Sequence, residues 1–145
     1  MKKTTQRVIA TTLTFLALFF AIAVPIKNAS SETCYNNIVQ ANVSSNINVN
    51  GALTVSFDVF GRKGVTTKIE TELFVEKKML GLFWVRVNIG CPNNLWTDST
   101  NHYVYVNTFS TQLSSTGTYR TTVKFTVSGT GGANDIITLT RTNTY

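Results

Sequence analysis

The chain of 145 residues has one histidine, His102, and two cysteines, Cys34 and Cys91. A structural metal site needs more ligands of these types, and no CxxC pair is present, so we expect no metal. A Ser/His/Asp or Cys/His system would have to use His102, yet the sequence has no GxSxG nucleophile motif. No helix is predicted after the glycines at 129–132 to orient N–H groups toward a phosphate. We therefore predict a non-catalytic protein that carries no cofactor.

Acidic side chains are few, and those that lie close together in sequence alternate along one predicted strand. Glu70, Glu72 and Glu76 fall on the same face of that strand, beside Lys68. This spacing is typical of a solvated strand face rather than of a general acid–base pair. His102 lies at a strand entrance, where an exposed or capping role is expected. A small secreted hydrolase that uses these groups is our third functional hypothesis.

Long apolar runs are absent except at the N-terminus. Basic residues at 2–7 precede an apolar run at 8–24, and the short polar stretch KNASS follows. This pattern predicts a secretory signal helix at 1–31 with cleavage after Ser31, and Ala21-Ile22-Ala23 is a competing site. An uncleaved anchor is the alternative, because roughly 17 apolar residues are the shortest run that spans a bilayer. We expect free secretion, since neither a lipobox before the first cysteine nor a C-terminal sorting pattern occurs.

Runs of positive charge are also missing, since no more than two basic residues are consecutive. The precursor carries a net charge of +6 from 13 basic and 7 acidic residues. Four of the basic residues lie within 1–31 and all of the acids lie after it, so the predicted mature chain, 32–145, carries only +2. A nucleic-acid partner is therefore not expected.

The two cysteines would meet an oxidising compartment after export, where pairing is the default. A bond between Cys34 and Cys91 would close a loop of roughly 60 residues and contribute about 4 kcal/mol on the chain-entropy model. The mature chain is long enough for one domain that buries between roughly 60 and 70 % of its unfolded surface. We predict a single domain at 32–145, tied by this disulfide.

From residue 52 onward, apolar and polar residues alternate with a period of two, and no convincing amphipathic helix is present. Alternation of this kind predicts half-buried strands separated by turns. Strands are predicted at 53–59, 69–75, 83–89, 102–109, 119–127 and 136–145, with one or two more between residues 39 and 49. About seven short strands favour an all-β fold, a single antiparallel two-sheet sandwich, and a closed barrel is the competing architecture.

Tyr119 lies near the start of a late strand, directly after the turn at Gly117, and shares its parity with the apolar residues of that strand. This arrangement matches the tyrosine corner of Greek-key sandwiches, in which the hydroxyl donates to a backbone group upstream. Thr121 occupies the position where antibody-type domains carry a cysteine, so the usual inter-sheet disulfide is missing. Tyr119 is therefore interpreted as a residue that stabilises the fold rather than as part of a site.

Polar turn residues are lacking between the second and third predicted strands, in KKMLGLFWVRV. The turn around Gly81 has apolar neighbours where a hairpin usually carries Asn, Asp or Gly. These neighbours are Met79, Leu80, Leu82, Phe83 and Trp84. If exposed, the tip at 79–84 would contact a partner or, peripherally, a membrane; the alternative is that its aromatic residues fold back into the core. Trp96 and Tyr103, in or near the loop NNLWTDSTN, are further candidate contact residues.

The segments TTKIETELFVEKK, then Gly81 with Trp84 after it, then GTYRTTVKFTV and the terminal TNTY occur in this order within 53–145. In this series the chain resembles a large group of small exported, largely uncharacterised proteins of Gram-positive bacteria. The resemblance implies a signal peptide followed by one β-sandwich of the immunoglobulin or fibronectin-III type, and it implies no activity. Two departures from the pattern are the apolar tip MLGLF and the longer loop CPNNLWTDSTN, and a contact surface peculiar to this protein is expected there.

The leading functional hypothesis is a secreted, non-catalytic β-sandwich that binds a protein or another component at or outside the cell envelope. The second hypothesis is a membrane-active or bacteriocin-like secreted toxin, which depends on the same apolar tip and on the slightly cationic mature chain. A hydrolase would require carboxylates or His102 to converge in a cleft.

Overall fold

The computed structural model describes residues 35–145, which belong to one compact unit, Cys34–Tyr145. This part of the chain forms eight β-strands and a short 3₁₀ helix at Pro92–Asn94. The strands are β1 (Ile38–Ile47), β2 (Ala52–Gly61), β3 (Thr66–Met79), β4 (Phe83–Arg86), β5 (Trp96–Thr100), β6 (Val104–Gln112), β7 (Thr118–Gly129) and β8 (Asp135–Thr144). The predicted signal helix at 1–31, with its cleavage site, lies outside the described residues.

The strands form two antiparallel sheets. One sheet has three strands in the order β1-β2-β6, and the other has the order β4-β3-β7-β8, with β5 also paired to β3. Along one edge, β3 pairs with β5 through 69–73 and with β4 through 76–79. Its other edge pairs with β7 over nearly its whole length. The predicted all-β class with antiparallel sheets is confirmed.

The strand boundaries differ from the prediction mainly at β4 and β5. Residues 96–100 form β5, although the sequence predicts a loop there, and β4 ends at Arg86 instead of continuing to Ile89. The segment before β2, where one or two strands are predicted, forms a single strand, β1. The sequence of β5, WTDST, has one apolar residue and no alternation, and its backbone pairing with β3 makes it a strand. A residue pattern cannot report a pairing of this kind.

Alternate residues of the central strands face one shared core. Buried positions recur at every second residue in β2 and along most of β3 and β7, as the predicted period of two requires. Both sheets contribute the largest fully buried side chains, which include Leu53, Ile69, Leu73 and Phe125. The rings of Phe57 and Phe125 lie with their centroids 5.6 Å apart across the space between the sheets. The inner faces of the two sheets therefore pack against each other, and the buried side chains of both sheets form the core of the described part of the chain.

The chain just before β1 is fastened by the carboxylate of Asp135, the first residue of β8. Its oxygens accept hydrogen bonds from the backbone N–H groups of Asn36, Asn37 and Ile38 at 3.0, 2.6 and 2.9 Å. Burial acts to raise the pKa of Asp135, but these three donors and the positive charge of Arg62 outweigh it, so the pKa is lowered. The ionised carboxylate thus joins the N-terminal segment to β8.

The predicted disulfide is contradicted, because Cys91 carries a free thiol; its predicted partner, Cys34, lies outside the described residues. The arginine that follows β2 donates to the carbonyl oxygen of Tyr35 at 3.1 Å, which places Tyr35 at the end of β2. Ile89 lies at the start of β2, because its carbonyl oxygen accepts a hydrogen bond from a threonine of β6 that pairs there. Strand β2 spans about 30 Å, whereas a disulfide joins Cα atoms about 6 Å apart. Asp135 fastens the N-terminal segment instead.

Tyr119 is 2 % exposed, and its hydroxyl donates to the carbonyl oxygen of Ser115 at 2.5 Å. The bond reaches back across the turn that precedes β7, as a tyrosine corner would. The ring also packs beneath Lys77, whose Nζ lies 5.7 Å from the ring centroid. Tyr119 therefore connects the turn before β7 to the far end of β3.

Replacing Asp135 with Ala should lower the free energy of unfolding by on the order of 3 kcal/mol, because three backbone N–H groups lose a charged acceptor. Since folding lowers the pKa of Asp135, its contribution is present above the pKa of an unfolded Asp, about 3.9, and is lost as the pH falls through the folded value. Urea unfolding of residues 32–145 at neutral pH and near pH 3 measures both effects. An Asp135→Asn variant that is as acid-sensitive as the wild type would contradict this assignment.

Replacing Tyr119 with Phe should cost on the order of 1 kcal/mol of unfolding free energy, because the hydrogen bond to Ser115 is lost while the ring remains. Replacing it with Ala should cost more, because a cavity is added. Chemical denaturation measures both changes. If Tyr119→Phe left stability unaltered and abolished a binding activity, the structural role of this residue would be wrong.

Candidate functional site

The hairpin that joins β3 to β4 extends beyond the strand next to it. Strand β7 begins at Thr118, and the last of its residues in register with β3 is Tyr119, opposite Lys77. The pairing of β3 with β4 continues to Met79 opposite Phe83. Of the tip predicted at 79–84, residues 79–83 extend past β7, and the name is used for this segment from here on. Among the described strands, its own hairpin partner is the one that pairs with it.

The side chains of the tip lie in solvent. Leu80 and Leu82 are 82 % and 80 % exposed, and Phe83 and Met79 are 50 % and 40 % exposed. Apolar side chains scattered singly on a surface are ordinary, but a contiguous group at the end of a hairpin is typical of a contact site. The tip therefore has the exposure that a contact surface needs.

The backbone of the tip is a tight turn with an unusual residue in it. Leu80 and Gly81 have φ angles of 51° and 69°, and the N–H of Leu82 donates to the carbonyl oxygen of Met79 at 3.0 Å. Positive φ at both central residues is the pattern of a type I′ turn, which favours Asn-Gly. A leucine in this left-handed region is strained by roughly 1–2 kcal/mol. Leu80 thus destabilises the free protein both through its backbone conformation and through the exposure of its side chain to solvent.

Trp84 follows the tip and is half-buried on the outer face of its sheet. Its ring lies 4.5 Å from Cζ of Arg120 and 5.8 Å from Nζ of Lys78. Arg120 is itself paired with Glu76 at 2.7 Å. Trp84 is therefore held between cations at the base of the tip, outside the core between the sheets.

Two basic residues beside the tip, Lys78 and Arg86, were not singled out by the sequence analysis. In the hairpin register Lys78 lies opposite Trp84, and Arg86 lies opposite Glu76. Cζ of Arg86 lies 4.0 Å from the centroid of the Phe74 ring. A search for consecutive basic residues does not find this pair, whereas the register of the predicted hairpin would have placed both residues beside the tip.

Trp96, a predicted contact residue, lies at the margin of the core. Its ring centroid is 5.9 Å from that of Phe57 and 5.6 Å from that of Phe109. Trp96 is opposite Leu73 in the β3–β5 pairing, and residues opposite each other point to the same face of a sheet. Because Leu73 is fully buried, the pairing directs Trp96 toward the core.

Tyr103, the other predicted contact residue outside the tip, is 39 % exposed in the loop between β5 and β6. Its carbonyl oxygen accepts a hydrogen bond from the N–H of Gly61 at 2.6 Å. Gly61 lies beside Thr66, the first residue of β3, and the tip begins at Met79, the last residue of that strand. Strand β3 separates them by roughly 40 Å, so Tyr103 and the tip do not form one surface.

The three glutamates predicted to lie on one strand face are each paired with a basic residue. Glu70 lies 2.6 Å from Lys68, Glu72 lies 3.2 Å from Lys124, and Glu76 pairs with Arg120. His102 is exposed in the loop after β5, where its backbone N–H donates to Thr100 Oγ1 at 3.2 Å. These placements give the glutamates surface ion pairs and His102 a position in a surface loop.

A polar groove of about 470 Å³ lies beside β3 and β5 and contains Glu70, Glu72 and Asp98. The Asp98 carboxylate accepts hydrogen bonds from the Tyr105 hydroxyl, the Ser99 N–H and the Asn107 amide, which hold its pKa below the usual range. Burial and the neighbouring Asp98 raise the pKa of Tyr105 to about 12. The hydrogen bond from the Tyr105 hydroxyl to the Asp98 carboxylate joins β6 to β5, so Asp98 links the two sheets at their open edge.

Within residues 35–145, no group of three or more His, Cys, Asp or Glu side chains is arranged to hold a metal ion. No helix in that range has the length and apolarity needed to cross a membrane. The chain matches no protein-family model and no curated protein.

Replacing Leu80 with Asn should raise the free energy of unfolding by about 0.5–1 kcal/mol, because Asn-Gly suits the left-handed turn and Asn tolerates exposure. Most apolar-to-polar substitutions destabilise a protein, so the sign of this change is diagnostic. Thermal and urea unfolding of Leu80→Asn beside the wild type provide the measurement. Destabilisation by more than about 1 kcal/mol would show that Leu80 contributes to packing in the free protein.

Proposed function

We propose that the protein is a secreted, non-catalytic β-sandwich that acts by binding at or outside the cell envelope through the tip at 79–83. The observation that carries this proposal is Leu80, which is 82 % exposed and has a φ of 51°. Leu80 destabilises the free protein, and a partner that covers its side chain would remove the part of that destabilisation that comes from exposure to solvent.

The strand order supports an immunoglobulin-like arrangement for this sandwich. In that fold the first, second and fifth strands share one sheet, and the third, sixth and seventh share the other. Here β1, β2 and β6 are neighbours and take the places of the first, second and fifth strands. Strands β3, β7 and β8 are also neighbours and take the places of the third, sixth and seventh, while β4 and β5 both add to the free edge of β3. The hydroxyl of Tyr119, which donates to Ser115 just before β7, supports the same assignment. The resemblance to exported Gram-positive proteins remains a prediction, which this strand order does not test.

Secretion rests on the N-terminal sequence pattern at 1–31. The compact unit Cys34–Tyr145 begins shortly after the predicted cleavage site, so the predicted mature chain at 32–145 contains the whole of that unit. An exported domain of this kind would meet the outer surface of a membrane, the cell wall or another cell. Its exposed apolar tip is suited to such an encounter.

The proposal is tested with residues 32–145 and isolated envelopes of a Gram-positive bacterium. The double variant Leu80→Asn/Leu82→Ser replaces the two most exposed apolar side chains of the tip and keeps a favourable turn, so any loss of binding is separable from unfolding. We expect the wild-type domain to sediment with the envelopes and the double variant to bind at least about tenfold more weakly, because each buried leucine contributes about 1.5–3 kcal/mol.

The matched control is Val106→Thr/Ile136→Thr. These residues are 68 % and 61 % exposed on β6 and β8, and threonine keeps the strand preference of a β-branched residue. The control should bind like the wild type. Equal retention of the wild type and the tip variant would show that the tip is not the contact surface.

A further inference from the structure

We infer that the partner of the tip is an anionic lipid surface, in which the tip is seated at the level of the headgroups. This inference depends on the proposed function, because it names the occupant of the same surface. Three features of the hairpin carry it: the apolar end, the tryptophan behind it and the cations beside that tryptophan.

The base of the tip has an excess of positive charge. Lys77, Lys78, Arg86 and Arg120 lie on paired positions of β3, β4 and β7 there, and Glu76 is the acid in the same rows. Arg120 neutralises Glu76 at 2.7 Å. Within residues 35–145, Lys78 and Arg86 form no salt bridge. Their charges lie near the rings of Trp84 and Phe74 and have no acidic partner among these residues, so they are available to negative groups on a partner.

The cations and the apolar residues are separated along the hairpin in the order that a membrane interface requires. Met79 is opposite Phe83 next to the turn, Lys78 is opposite Trp84 one residue further back, and Arg86 is two residues beyond Trp84. At about 3.3 Å per residue, the backbone positions of these basic residues begin about 3 Å behind the apolar pair and extend to roughly 10 Å. Interfacial elements insert about 5–10 Å, which would place the leucines at the acyl boundary and the cations among the headgroups.

Trp84 suits the same depth. Its ring is half-buried beside Lys78 and Arg120, so part of it is available to a surface that approaches the tip. Tryptophan is enriched at the boundary between lipid headgroups and acyl chains because it has an apolar ring and a polar N–H. Shallow insertion also leaves the backbone of the hairpin edge close to water, which an open strand requires.

A convex tip with free cations behind it favours a lipid surface over a protein pocket. A protein partner would need a cavity shaped for Leu80 and Leu82 and acidic residues placed for Lys78 and Arg86. A bilayer that contains anionic lipid supplies both the apolar layer and the negative charge without any fitted shape. A protein or wall-polymer partner is the contrary outcome of the test.

The experiment uses residues 32–145 with vesicles of phosphatidylcholine, with and without phosphatidylglycerol, and measures cosedimentation and tryptophan emission. We expect binding to the phosphatidylglycerol vesicles, at least about tenfold weaker binding to pure phosphatidylcholine, and a loss of affinity as salt is added. Emission should shift to the blue on binding, and Trp84→Phe should remove the shift and leave Trp96 as the remaining tryptophan.

Two double variants separate local charge from net charge. Lys78→Gln/Arg86→Gln should weaken binding by about fivefold for each charge removed. Lys63→Gln/Lys68→Gln removes the same net charge near the opposite end of β3 and should leave the affinity unchanged. Leu80→Asn/Leu82→Ser should reduce binding to the phosphatidylglycerol vesicles to the level that the wild-type domain shows with pure phosphatidylcholine vesicles.

The result that overturns the lipid inference alone is tip-dependent binding to envelopes with no binding to the phosphatidylglycerol vesicles. In that case the proposed function stands, and the occupant is an envelope protein or polymer. Loss of tip dependence in both assays overturns both proposals. Vesicle binding without a shift in Trp84 emission, or equal weakening by the two charge variants, also overturns the lipid inference, because another surface would then make the contact.

Discussion

The pairing of β3 is the constraint on which most of the structure depends. Strands β5 and β4 pair one after the other along one edge of this strand, and β7 pairs along the other edge. At 14 residues it is the longest strand of the described chain, and it continues past its last partner in β7, Tyr119. The same strand therefore supplies Ile69 and Leu73 to the core and carries the tip out of the domain.

Stability and the proposed contact lie in different parts of the molecule. At one end, the carboxylate of Asp135 and the side chain of Asn37 fasten the segment before β1. Along the open edge, the bond between Tyr105 and Asp98 links the sheets. The tip at the other end adds little to either arrangement, because its leucines are exposed. A separation of this kind lets the contact residues vary without loss of the fold.

Much of the fold could be predicted because a strand with one buried face leaves a period of two in the sequence. That signal located β2, β3 and β7 and identified Phe57, Val123 and Phe125 as inward-facing. It did not locate β5, whose polar residues are held by backbone pairing, nor the end of β4. The disulfide prediction was wrong, because compartment and cysteine count say nothing about distance. The strand directions place Tyr35 and Ile89 at opposite ends of β2.

For the candidate site, the apolar composition of 79–83 was readable from the sequence because it replaces the polar residues that a turn requires. Whether those side chains were buried or exposed was decided by tertiary structure, since exposure depends on where the neighbouring strand begins. The same is true of Trp96, which the β3–β5 register turns toward the core, and of Lys78 and Arg86, which the hairpin brings to the base of the tip. The chemistry of each side chain can be read directly from the sequence, whereas the burial of side chains and the grouping of charges depend on the register between paired strands.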